Sequence, residues 1–148
     1  MTLKDRITEA MKVAMKAKDS QRLGVIRLML SECKRVEVDE RIELSDERVI
    51  TILDKMTKQR RDSAKQYSDA GRKDLADQES FEIAVIAEFL PAALSAEELA
   101  SIIDQSIADS GATSAKDMGK VMAILKPLIQ GRADMGAASQ KVKQKLGN

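Results

Sequence analysis

Apolar residues return every three or four positions along almost all of this 148-residue chain, and no run alternates with period two for long enough to build a strand. That pattern predicts an all-α protein. Leu3, Ile7, Met11 and Met15 form a first stripe, with Thr2 as N-cap and Asp5 as its reciprocal partner. A second helix begins around Asp19 and Ser20. Its Leu23, Val25, Ile26, Leu28, Met29 and Leu30 leave little polar surface, which predicts the central helix of an N-terminal unit. Val38 to Leu44 is the one place where a strand or extended loop fits. Ser45 then caps a long helix with Asp46 and Glu47 in its first turn and Val49, Ile52, Leu53 and Met56 as its stripe. Beyond Met56 the stripe passes only through Ser63 and Tyr67, so the second half of that helix is expected to be mostly solvated and to end at Gly71, a suitable left-handed cap.

The next helix carries Leu75, Ile83, Ile86, Phe89 and Leu90 and meets Pro91, which cannot continue it; Ser95-Ala-Glu-Glu98 is a capping box that starts another. The boundary falls there. Residues 1–91 read as an N-terminal unit of about four helices, and 92–148 as a small three-helix unit. In the second, Leu99, Ile102, Ile103 and Ile107 face inward before Gly111. Ser114 with Asp117 caps a helix with Met118, Val121, Met122 and Leu125 that ends near Pro127. Asp134 caps the last, with Ala138, Val142 and Leu146 inward. Helices of three to four turns are marginal alone, so this unit depends on mutual packing and can move as one body on the Pro91 connection.

Composition removes most enzyme classes. The chain has no His, no Trp and one Cys, so the commonest general base, the commonest metal ligand and any disulfide framework are missing. With no His to activate it, Cys33 reads as a small buried hydrophobe. The aromatics are Tyr67, Phe81 and Phe89, too few for stacking bases. Gly131 to Gly136 has the first spacing of a phosphate-binding loop, yet Ala137 and Ala138 follow where Lys and Ser or Thr are required. The residues therefore point to no catalytic group, with a Ser–Lys pair left open but favoured by nothing in the pattern, and predict no metal and no cofactor. A charged N-terminus and the lack of an 18-residue apolar run predict a cytoplasmic protein with no membrane partner.

Charge placement says more than the total of +1. Residues 93–115 sum to −4 through Glu97, Glu98, Asp104 and Asp109. Residues 116–148 sum to +5 through Lys116, Lys120, Lys126, Arg132, Lys141, Lys143 and Lys145 against Asp117 and Asp134. A second concentration, Lys55, Lys58, Arg60, Arg61 and Lys65 against Asp62, gives +4 on the long helix. Such faces are ordinarily just solvated. As a functional surface, cations without aromatics suit a folded RNA read by shape and backbone.

The C-terminal residues resemble a known family. Asp117-Met-Gly-Lys-Val-Met-Ala-Ile-Leu-Lys126, Gly131-Arg-Ala-Asp134 and a basic closing helix are similar to the tail domain of the B subunit of the glutamine-dependent Asp/Glu-tRNA amidotransferase. Asp19 to Leu28, Lys58-Gln-Arg-Arg-Asp-Ser63, Tyr67, Gly71-Arg, Glu82-Ile and Phe89-Leu-Pro91 extend the likeness to the free-standing GatB/YqeY proteins, over essentially the whole chain. The resemblance implies an all-helical, tRNA-associated accessory. In the amidotransferase the tail holds tRNA while amide transfer resides elsewhere, and similar modules are attached to a glutaminyl-tRNA synthetase. Lys126 and Arg132 match the tail motif. Lys116, Lys120, Lys141 and Lys145 would extend the RNA-binding surface, and Lys58, Arg60 and Arg61 would form a second patch. The alternative is a helical adaptor docking an aminoacyl-tRNA synthetase or amidotransferase. Ala123 stands where relatives often have Gly, which alters the fit either to RNA or to a neighbouring helix.

Overall fold

In the computed structural model, which describes residues 1–147, the first helix starts at a reciprocal cap. The Thr2 hydroxyl accepts the Asp5 amide and the Asp5 carboxylate accepts the Thr2 amide, both at 3.1 Å. All regular structure among the described residues is helical: α1 (Leu3–Lys16), α2 (Ser20–Glu40), α3 (Asp46–Asp69), α4 (Lys73–Ala87), α5 (Ala96–Ser110), a 3-10 turn (Ala115–Asp117), α6 (Met118–Ile129) and α7 (Met135–Leu146). Asp19, Ser45, Ser95 and Asp134 each accept an amide from the first turn that follows. Gly71 and Gly111 take the left-handed conformation, at φ of 73° and 69°, that ends a helix cheaply only for glycine. Among the described residues no helix is long and apolar enough to cross a membrane.

The chain separates into two compact units, Met1–Leu90 and Pro91 onward. In the first, α1 packs along α2 and α3 along α4, while α2 also meets α3 and α4. Ile7, Val25, Ile26, Met29, Val49, Leu53, Met56 and Ile86 fill the space between them. Cys33 is fully buried there, and burial pushes its thiol above the ordinary range, so it is a small hydrophobe. In the second unit α5, α6 and α7 each touch the other two around Leu99, Ile103, Val121, Leu125, Ile129, Ala138 and Val142.

Several expectations need correction. Met15 is 49 % exposed and Ala14 takes its place in the core. Twelve positions beyond Leu3 is about 120° round the helix, whereas eleven is only about 20°. Leu28 is exposed because the buried stripe of α2 runs through Val25, Ile26, Met29, Cys33 and Val36. The stretch from Val38 to Leu44 is not a strand: α2 continues to Glu40 and turns at Arg41, which takes the left-handed conformation at φ 54°. Val38 is a helical residue left in solvent. Neither Ser114 nor Asp117 caps α6 with its side chain; Asp117 instead accepts the Thr113 amide at 3.0 Å and braces the loop before the helix. The end of α6 falls near Pro127 as expected, with the proline inside a last turn that closes at Ile129. The second half of α3 is mostly exposed, as expected, with Arg60, Ser63, Ala64 and Tyr67 half-buried on the helix that α4 packs against.

Candidate nucleic-acid interface

Val121, Leu125 and Ile129 place one side of α6 in the core. At about 100° per residue the opposite side carries Gly119, Lys120, Ala123, Lys126 and Pro127, all exposed. Ala123 therefore faces solvent and not a neighbouring helix. Pro127 has no N–H to donate to the Ala123 carbonyl, which leaves an acceptor on the same side. Lys116, in the 3-10 turn that leads into α6, is exposed as well.

The turn into α7 is built around Arg132. Its carbonyl accepts the Leu94 amide at 2.9 Å, and its Nε donates to the Ala92 carbonyl at 3.1 Å. These bonds tie the segment after Pro91 to the α6–α7 turn and hold the half-buried guanidinium in place. Asp134 then starts α7 by accepting the Ala137 amide at 3.0 Å. Along α7, Lys143 is exposed, Lys141 is half-buried, and Lys145 pairs with Asp104 of α5.

The unit's acids are placed unevenly: Asp104 is taken up by Lys145 and Asp117 lies 3.8 Å from Lys120. Glu97, Glu98, Asp104 and Asp109 are all on α5, whereas the carboxylates at the start of α6 and α7 are engaged in local structure. Asp117 lies below the usual carboxylate range chiefly because the Thr113 amide bonds to it, and Lys120, 3.8 Å away, lowers it further. Glu98 is lowered by its bonds to Ser95, with a smaller pull from Arg132. What remains exposed on α6 and α7 is a surface of cations and small side chains together with Pro127, Leu128, Gln140 and Gln144.

The α3 patch comes out differently. Lys58 and Arg61 are exposed, but Arg60 turns inward: its Nη1 donates to the Met56 carbonyl at 3.2 Å and its Nε lies 3.7 Å from Glu82 of α4. Those two side chains are only 16 % and 14 % exposed. Arg60 thus belongs to the α3–α4 packing. Burial pushes the Glu82 carboxyl up and Arg60 pulls it partly back. Asp54, Asp62 and Asp69 share the outer side of α3 with Lys58, Arg61 and Lys65, so a stretch that sums to +4 along the sequence is nearly balanced in space.

Over residues 4–146 the chain matches the family described as Yqey-like protein. The chain belongs to this family. A YqeY-like chain of this kind is a domain related to the tail of the amidotransferase B subunit, and its fold is all-helical, in agreement with the resemblance. It is also 35 % identical over 101 residues to a protein of Eremothecium gossypii called altered inheritance of mitochondria protein 41, mitochondrial. The match takes in 66 % of the YqeY-like chain and 55 % of that relative, so the chain spans about half the length of the curated relative it matches.

Proposed function

We propose that this chain is a non-catalytic accessory module that binds folded tRNA through α6 and α7. The observation that carries the reading is the separation of charge in the second unit, with carboxylates on α5 and exposed cations beside small side chains on α6 and α7. Lys126 and Arg132 lie at the end of α6 and at the turn into α7, so one phosphate run can meet both. Lys116 and Lys120 extend the surface, Lys141 stands on the flank of α7 that it shares with Lys145, and Lys58 and Arg61 supply a weaker second patch. Small residues let a sugar-phosphate backbone approach closely, and lysines answer phosphates without reading bases. Family membership supports the same reading, since the related tail belongs to a tRNA-handling complex.

The test is a titration of purified protein with unfractionated tRNA over a salt series. Log affinity is expected to fall linearly with log salt, by about 0.7 to 0.9 for each phosphate neutralised. Lys126→Glu/Arg132→Glu should abolish binding at low salt. Native protein that binds no more tightly than this variant would sink the assignment. Purified protein supplied with glutamine, ATP and misacylated tRNA should form no amidated product unless other subunits are added. Partner proteins that stay bound after nuclease treatment and moderate salt would instead favour docking to a synthetase or an amidotransferase.

A further inference from the structure

The Ser139 hydroxyl of α7 lies 3.9 Å from the Met122 sulfur of α6, which fixes the sides on which these two helices meet. Lys126 is four residues beyond Met122, and Lys143 is four residues beyond Ser139. Four residues advance a helix by about one turn, or 6 Å, and rotate it by about 40°. On α6 that rotation leads away from the buried Val121, Leu125 and Ile129; on α7 it leads away from the buried Ala138 and Val142. Both lysines therefore stand on the outer lip of the α6–α7 seam. They are exposed, and among the described residues neither forms an ion pair.

Lys145 is placed differently. Two residues beyond Lys143, it lies about 200° round α7, on the flank that faces α5, where Asp104 holds it. A phosphate reaching Lys145 would have to displace that carboxylate and would release less counterion than one reaching an unpaired lysine. Gly119, Ala123 and Gly136 lie beside the seam and are exposed, with nothing larger than a methyl group to keep a backbone away.

We propose that Lys126 and Lys143 are the paired phosphate contacts of this unit, gripping one backbone along the α6–α7 seam, and that Lys145 is a strut between α7 and α5. This assignment rests on the RNA-binding reading above and adds to it a residue, Lys143, that the resemblance does not single out. Neutral substitutions separate the two lysines of α7. With unfractionated tRNA as probe, Lys126→Gln and Lys143→Gln should each lower the slope of log affinity against log salt by about one, and the double variant by about two. Lys145→Gln should leave the slope within half a unit of the native value, with helicity by circular dichroism showing that all variants are folded. Native protein with no salt-dependent tRNA binding overturns the functional reading and this assignment together. Native binding with an unchanged slope in Lys143→Gln, or a full unit lost in Lys145→Gln, overturns the assignment alone.

Discussion

Ile103 is the fully buried centre of α5, and its replacement by Ala shows how little holds the second unit together. The substitution removes three methyl or methylene groups from a core of seven buried side chains and costs about 2 to 5 kcal/mol. A unit of this size rarely has more than about 3 to 5 kcal/mol in hand. Taking about 4 kcal/mol for the native unit and about 3 for the loss, the unfolded fraction rises from about one in 700 to about one in six. The first unit has its own core, with no residue in common with the second, so its helices should not respond. Amide hydrogen exchange resolved by segment is the assay. The slowest amides of α5, α6 and α7 should exchange about a hundredfold faster in Ile103→Ala, while those of α2 and α3 keep their native rates. Equal acceleration in α2 and α3 would refute the reasoning, because it would mean that the chain opens as one cooperative body.

Two further outcomes follow from local geometry. Gly24 lies within α2 with nothing inside 4 Å of where a β-carbon would be, so Gly24→Ala should stabilise the first unit by about 0.5 to 1 kcal/mol in denaturant unfolding; a loss would mean the site is more crowded than it looks. Glu82 has a raised carboxyl, so the folded state holds its proton more tightly than the unfolded chain, and stability from this group falls as pH rises from below the ordinary value of about 4.3 through the raised one. The stability of Glu82→Gln relative to native should therefore improve between pH 3 and pH 7, and a constant difference would refute the assignment.

The helix starts were legible because a cap is a local event. Thr2 with Asp5, Ser95 with Glu98, and Ser45, Asp19 and Asp134 all act within three residues of themselves. The end of α2 was not, since Arg41 adopts a conformation that sequence reading assigns to glycine. Pro127 was a fair guide, because only two residues of α6 follow it. At the candidate site the cations themselves could be read from the sequence, but not their availability. Arg60 is withdrawn by Glu82, 22 positions away, and Lys145 by Asp104, 41 positions away; no local pattern reports either pairing. One signal was available for Lys143, because two lysines two residues apart on a helix cannot serve the same face.

Placing four of the second unit's six carboxylates on α5 and its seven cations on α6, α7 and the turns that lead into them makes the unit a permanent electric dipole, although the whole chain carries a net charge of only +1. A body of this kind experiences a torque in the field of any polyanion before contact, turning α5 away and the lysine-bearing helices forward. Such rotation raises the share of diffusive encounters that arrive in a productive orientation, and it weakens as salt shortens the reach of the field. The consequence is kinetic. The association rate should feel the layout of the three helices even where the final affinity depends on only two or three side chains.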